Sequence, residues 1–160
     1  MRATTPVPVL LLALLLASPA FAATAKIEFE KPESFHDAGR RFPGNARTES
    51  LGPLREHFEQ EIARRLPADQ TLTLWITDVD LAGEFEPWQP ASREIRIVKD
   101  IYPPRIELRF RLARADGSVV KEGTRTLRDT SFLTNSPGDS TDALRYEKAM
   151  FDRWLADEFR

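Results

Sequence analysis

Two aspartates near the end of a predicted strand have the spacing that comes closest to a metal site. Asp78 and Asp80 lie two positions apart, and Glu84 and Glu86 follow in the next polar stretch. Because alternate residues of a strand point to the same side, both aspartate carboxylates would face one divalent cation. The run lacks the further ligands of an EF-hand loop. The pattern leaves open a metal-binding or hydrolytic site, beside the simpler interpretation that these acids solvate a strand end.

Other catalytic sets find little support in the sequence. There is no cysteine, which excludes a thiolate nucleophile, a thiolate zinc ligand and a disulfide. The two histidines, His36 and His57, do not have the His-Glu-x-x-His spacing, and no serine lies in a Gly-x-Ser-x-Gly turn. With 7 glycines in the chain, phosphate-binding loops are absent. We therefore predict no catalytic residue and no cofactor, and we expect two ordinary surface histidines.

A polar and aromatic run that ends in two prolines is a candidate binding corner. Pro103 and Pro104 hold the residue before each of them in an extended conformation, so the corner is stiff. Lys99, Tyr102 and Arg105 would lie there and could bind an anion or a partner carboxylate. The alternative is a rigid connection between strands, with Tyr102 packed and its hydroxyl satisfied.

Three aromatic residues, Phe85, Trp88 and Phe132, fall in stretches predicted as loops. Trp88 stands between two prolines, and tryptophan is enriched at the centres of protein interfaces. It would serve either as a recognition residue or as a cap over a sheet edge. The predicted binding surface therefore comprises Trp88, Lys99, Tyr102 and Arg105.

Hydrophobic periodicity predicts the elements that position these residues. Apolar residues three or four apart predict an amphipathic helix over 51–66, with Pro53 in its first turn. Alternation of apolar and polar residues predicts strands over 25–30, 71–79, 94–98, 105–112 and 119–127, with a hairpin turn at Asp116-Gly117. A second helix runs from about Asp142, a plausible N-cap, to the C-terminus. Residues 31–46, 80–92 and 129–141 are predicted loops.

This order of elements predicts an α+β fold. We expect a largely antiparallel, four- to five-stranded sheet covered on one face by the two amphipathic helices, as a two-layer sandwich. The first strand would lie parallel to the second through a right-handed helical crossover. The arginine-rich strand over 105–111 is a candidate edge, which makes pairing with a second chain conceivable.

The N-terminal segment has the pattern of an export signal. An apolar run follows Arg2, and Ala20-Phe21-Ala22 offers the small residues that a signal peptidase requires. We predict a cleaved signal peptide over 1–22 and a single α+β domain over 23–160. The run is too short to span a bilayer, and no later stretch approaches that length. The chain carries 23 basic and 25 acidic residues, and this balance argues against a nucleic-acid binder.

Three separated parts of the chain form a distinctive pattern: residues 96–106 (Arg-Ile-Val-Lys-Asp-Ile-Tyr-Pro-Pro-Arg-Ile), 77–83 (Thr-Asp-Val-Asp-Leu-Ala-Gly) with 86–88, and 144–148 (Leu-Arg-Tyr-Glu-Lys). Together they resemble an exported proteobacterial family catalogued as domain of unknown function 3016. The resemblance implies a secreted or periplasmic protein with no assigned activity, so it transfers no catalytic residue.

The leading hypothesis is a non-enzymatic periplasmic domain that binds a protein or an envelope component. The competing hypothesis is a small-ligand or divalent-metal-binding hydrolase that uses Asp78 and Asp80. A structural or stress-related envelope factor without a stable ligand is a third, which the sequence does not separate from the first.

Overall fold

Four strands and three helices make up the part of the chain that the computed structural model describes, which is residues 22–36, 46–86, 96–135 and 141–160. The strands are β1 (Thr24–Phe29), β2 (Gln70–Asp80), β3 (Arg105–Arg114) and β4 (Val119–Arg128). The helices are α1 (Ala46–Arg65), α2 (Phe132–Asn135) and α3 (Arg145–Glu158). None of the helices in these ranges is long and apolar enough to cross a membrane.

The strands form one mixed sheet in the order β1-β2-β3-β4. β1 is parallel to β2, which follows it through α1, whereas β2–β3 and β3–β4 are antiparallel pairs. The α+β class is thus confirmed, and the expectation of a largely antiparallel sheet holds for two of the three pairs. The hairpin between β3 and β4 turns at Gly117, whose φ of +83° favours glycine. The suggestion that the arginine-rich strand is an edge was wrong, because β4 covers that side of β3.

One face of the sheet carries the hydrophobic core. Alternate residues of β2 and β3 are buried there, as the period of two predicted, and they join residues of α1 and α3 in one cluster. Phe58 of α1 and Phe151 of α3 stack with ring centroids 3.8 Å apart. A second link between the helices joins His57 Nε2 to Asp152 Oδ1 at 2.8 Å. The opposite face of the sheet is polar and carries the side chains of Trp75 and Arg109.

Both long helices begin away from the predicted position. α1 begins at Ala46, so Pro53 lies within the helix rather than in its first turn. α3 begins at Arg145, and its N-cap residue is Leu144 rather than Asp142. The Asp142 carboxylate accepts a hydrogen bond from the Leu144 N–H at 2.8 Å and pairs with Lys148 Nζ at 2.6 Å. The hydrogen bond from Lys148 lowers the pKa of Asp142, which therefore stabilises the turn that leads into the helix.

Two of the predicted connections have a different structure. Of the strand predicted over 94–98, residues 94 and 95 lie outside the described ranges, and the rest contributes a single bridge in which Ile97 pairs with Glu84. The loop predicted over 129–141 contains α2, because Phe132 is buried against Tyr146 with ring centroids 4.9 Å apart. Phe85 is also buried. Both aromatic side chains therefore serve packing.

Candidate functional site

The loop over residues 96–104, called here the 96–104 loop, leads into β3 and is fixed to the segment that follows β2. Glu84 and Ile97 exchange two backbone hydrogen bonds of 3.0 and 2.9 Å, and the Gly83 N–H donates to the Tyr102 carbonyl at 3.0 Å. Gly83 has a φ of +86°, and a Cβ there would lie 2.8 Å from the Ile97 carbonyl oxygen. Only glycine fits this close approach of the two backbones.

The buried carboxylate of Glu86 binds two side chains of the 96–104 loop. The Glu86 side chain is 1% exposed, and it accepts hydrogen bonds from Lys99 Nζ at 2.5 Å and from the Tyr102 hydroxyl at 3.2 Å. The hydrogen bond to Glu86 raises the pKa of Lys99. Burial raises the pKa of Tyr102, and its hydrogen bond to Glu86 adds to that effect. Two residues predicted for the binding surface, Lys99 and Tyr102, thus share one internal partner.

Arg96 and a second buried carboxylate, that of Glu147, bind the backbone of residues 81–83, which contact the loop. The Arg96 guanidinium donates to the carbonyls of Leu81, Ala82 and Gly83 at 3.2, 3.3 and 2.7 Å. The Ala82 N–H donates to Glu147 Oε1 of α3 at 2.7 Å, and Glu147 is buried. The segment that contacts the loop is therefore joined to the main body of the fold, and several hydrogen bonds hold the loop against it.

This rigid loop exposes apolar side chains. Ile101 is 66% exposed and is the most exposed large hydrophobic residue among those that the structure describes. Val98, three residues earlier, is also exposed. Between and beside them lie the charged side chains of Lys99 and Asp100. The loop thus presents two exposed apolar side chains, those of Val98 and Ile101, with charged residues between them in the sequence.

A cleft of about 240 Å³ opens beside the loop, at the end of the polar face of the sheet. Three lining residues belong to the 96–104 loop, and four belong to the end of β2 and the turn after it. The others come from β3, from β4 and from the segment that follows β1. The lining residues are Ile101, Tyr102 and Pro103, then Asp80, Leu81, Gly83 and Glu84, and finally Arg105, Arg128 and His36. The cleft therefore combines aliphatic, aromatic and charged groups in one concave site.

Of the two predicted metal ligands, Asp80 lines this cleft and Asp78 does not, and both face the side chain of Arg105. Arg105 Nη2 pairs with Asp78 Oδ2 at 2.6 Å, its Nε lies 3.8 Å from Asp80 Oδ2, and its Nη1 pairs with Glu107. Asp78 Oδ1 also accepts the His36 backbone N–H at 2.7 Å. No group of three or more histidines, aspartates or glutamates in the described ranges is placed to hold a metal ion. Metal binding at Asp78 and Asp80 stays a prediction, which titration with calcium, magnesium or manganese tests.

The structure divides the predicted binding residues. Tyr102 and Arg105 line the same cleft, whereas Lys99 is not among its lining residues and binds the buried Glu86. Trp88 lies outside the described residues. Sequence reasoning named Glu86 only as one of the acids near Asp80 and did not predict that it is buried, and it did not single out Ile101 or Arg128. The available signal for Ile101 was its position as an apolar residue between charged and proline residues, where no periodic element requires it.

Comparison with known proteins places the chain in a family. The family model described as "Protein of unknown function (DUF3016)" matches residues 23–157. The chain belongs to the DUF3016 family. The match includes the runs over 77–88, 96–106 and 144–148, so the resemblance noted from the sequence is confirmed. No curated protein and no solved structure matches the chain. The DUF3016 assignment gives the family without an activity, and the function has to be argued from the site.

Proposed function

We propose that this member of the DUF3016 family is a non-enzymatic binding domain that docks on a partner protein through the 96–104 loop. The observation that carries the proposal is the exposure of Ile101 on a loop that backbone hydrogen bonds and the side chains of Arg96, Lys99 and Tyr102 hold in place. The loop is held by Glu86, which binds Lys99 and Tyr102, and by Arg96.

The energetics of association favour this arrangement. Ordering a loop on binding costs free energy, and a loop already held in one conformation avoids most of that cost. Each buried methylene contributes about 0.8 kcal/mol, so covering Ile101 and Val98 is worth roughly 1–3 kcal/mol to a complex. An apolar centre with a polar rim is also the usual composition of an interface hot spot. A connection with only a structural role would gain by turning Ile101 inward.

The proposal includes export and a single domain over 23–160. Two observations support a mature chain that starts at Ala23: the family match begins at that residue, and Ala23 is buried in the core cluster immediately before β1. We interpret α1 and α3 as one layer over the sheet. Export is tested by N-terminal sequencing of the protein recovered from the periplasmic fraction. We expect the mature chain to begin at Ala23, and recovery of a chain starting at Met1 in the cytoplasm would contradict it.

Docking is tested with a photo-crosslinking amino acid placed at position 98 in the full chain, produced in its own cells. We expect one discrete crosslinked protein, which mass spectrometry identifies. The matched control carries the crosslinker at position 133, because Leu133 is also an exposed apolar residue but lies on α2. In a second variant, Ile101→Ser should remove the crosslink from position 98 while the melting temperature stays unchanged. Equal products from positions 98 and 133, or none from 98, would refute docking through this loop.

A further inference from the structure

We propose that the cleft beside the 96–104 loop binds a carboxylate of the partner protein through Arg128, with an apolar side chain of the same partner packed on Ile101. This inference rests on the proposed docking function and names the chemistry of the docked segment. Its two elements line one cleft: an arginine that has no carboxylate partner in the described part of the chain, and an exposed isoleucine.

The register of the sheet places two arginines opposite each other. Arg105 of β3 pairs directly with Arg128 of β4, so their side chains leave the same face of the sheet. Like charges in such a cross-strand position destabilise the sheet unless anions compensate them. Arg105 is compensated by Asp78, Asp80 and Glu107. The guanidinium of Arg128 is exposed and has no ion pair with any residue in the described ranges.

The chemistry of the lining selects the kind of anion. A guanidinium presents two parallel N–H donors that match the two oxygens of a carboxylate. Asp80 and Glu84 also line the cleft, and their charges would repel a multiply charged group such as phosphate more strongly than a single carboxylate. A monoanion is therefore the better fit. The walls formed by Ile101 and Pro103 would accept the aliphatic side chain next to it.

A pair of small probes tests this selectivity on the full mature chain. N-acetylleucine has a carboxylate and an isobutyl group, and N-acetylleucinamide keeps the isobutyl group but has a neutral carboxamide in place of the carboxylate. In a nuclear magnetic resonance titration, we expect saturable shifts of the backbone amides of Ile101, Tyr102, Arg105 and Arg128 with the acid. The amide should bind about five- to tenfold more weakly, as expected for one partly exposed charge-assisted contact. Inorganic phosphate should bind more weakly than N-acetylleucine.

Substitution of Arg128 tests whether this residue causes the preference for the acid over the amide. Arg128→Gln should make the acid and the amide bind equally, whereas Arg111→Gln should leave the difference intact. Arg111 is the matched control because it lies on the same face of the sheet, is exposed, and has no ion pair among the described residues. Equal binding of the two probes to the unmodified protein, shifts at other residues, or tighter binding of phosphate would overturn the inference.

The crosslink from position 98 separates this inference from the proposed function. If Arg128→Gln weakens the crosslink and Arg111→Gln does not, both stand. If the crosslink is unaffected by Arg128→Gln, docking stands and the carboxylate contact is wrong. If the unmodified protein gives no crosslink but still prefers the acid probe, the cleft binds a small carboxylate, and the assignment of a protein partner is wrong.

Discussion

Two glutamates, Glu86 and Glu158, sit in similar surroundings at opposite ends of the molecule. Each carboxylate is nearly buried, with 1% and 8% of the side chain exposed. Each binds one half-exposed lysine and accepts a hydrogen bond from an aromatic side chain. The donor is the Tyr102 hydroxyl for Glu86 and the Trp154 indole N–H for Glu158. Glu158 adds a bidentate pair with Arg125 at 2.8 Å for both contacts.

The two clusters differ in what they hold. Glu158 fastens the end of α3 to the edge strand β4, and its cations cover core aromatic rings: Arg125 lies over Phe110 and Lys121 over Phe159. Glu86 fastens a loop whose apolar side chains point to solvent. Similar ion pairs and hydrogen bonds thus stabilise the packing of α3 against β4 at Glu158 and an exposed loop at Glu86. Disrupting each cluster should therefore affect different measurements.

The largest expected effect is on global stability. Glu158→Gln removes the charge that binds Lys121 and Arg125, and we expect the free energy of unfolding to fall by about 2–3 kcal/mol. The loss is not larger, because both cations are half-exposed and can hydrate. Urea unfolding measures it. The control Glu122→Gln changes an exposed residue of β4, the strand that carries Lys121 and Arg125, and should alter stability by less than about 0.5 kcal/mol. Equal losses in the two variants would contradict the structural role of Glu158.

The pH dependence of the same contribution provides a second test. Arg125 and Lys121 lower the pKa of Glu158 from 4.5 to about 2. Because the pKa is lower in the folded state, the contribution is present above pH 4.5 and is lost as the pH falls towards 2. The difference in unfolding free energy between the unmodified protein and Glu158→Gln should therefore shrink over this range. A difference that stays constant from pH 7 to pH 3 would contradict the assignment.

Changing Glu86 should have a smaller and local effect. Glu86→Gln weakens the contacts to Lys99 and Tyr102, and we expect the free energy of local opening to fall by about 1–2 kcal/mol in the loop. Hydrogen exchange of the Gly83, Ile97 and Tyr102 amides, which are all hydrogen-bonded, reports this opening. Exchange in β2 and β3 should stay unchanged. Faster exchange throughout the sheet would show that Glu86 stabilises the whole fold and not the loop alone.

The elements of the core could be predicted because local sequence determines them. The strict alternation of β3 and the three-to-four spacing in α1 each follow from burial of one face, so both were found. The bounds of the helices were less predictable. α3 begins after Asp142 because that carboxylate accepts the Leu144 N–H in the preceding turn and pairs with Lys148 of the helix, an arrangement that composition alone does not reveal.

The site could be predicted only in part, because its contacts join distant positions. Tyr102 and Arg105 stood out by residue type and by the neighbouring prolines. Glu86 looked like any acidic loop residue, since its burial depends on Lys99 and Tyr102, 13 and 16 positions away. The partner of Arg105 was equally hidden: Asp78 lies 27 positions away, and the sequence left it open between a metal ligand and an acid that solvates a strand end. Within the described residues Arg128 has no ion pair, and its position opposite Arg105 follows from strand register, which the hairpin turn alone did not fix.

The smallest expected change in stability comes from the residue on which the proposed function depends. Ile101→Ser replaces a side chain that is mostly in water already, so the unfolding free energy should change by less than about 0.5 kcal/mol. Ile106→Ser is the opposite case, because Ile106 is fully buried in β3 and the change should cost several kcal/mol. If Ile101→Ser also destabilised the fold by several kcal/mol, Ile101 would be part of the packing in solution. The loop would then not differ from the junction at Glu158, and a docking role would lose its main support.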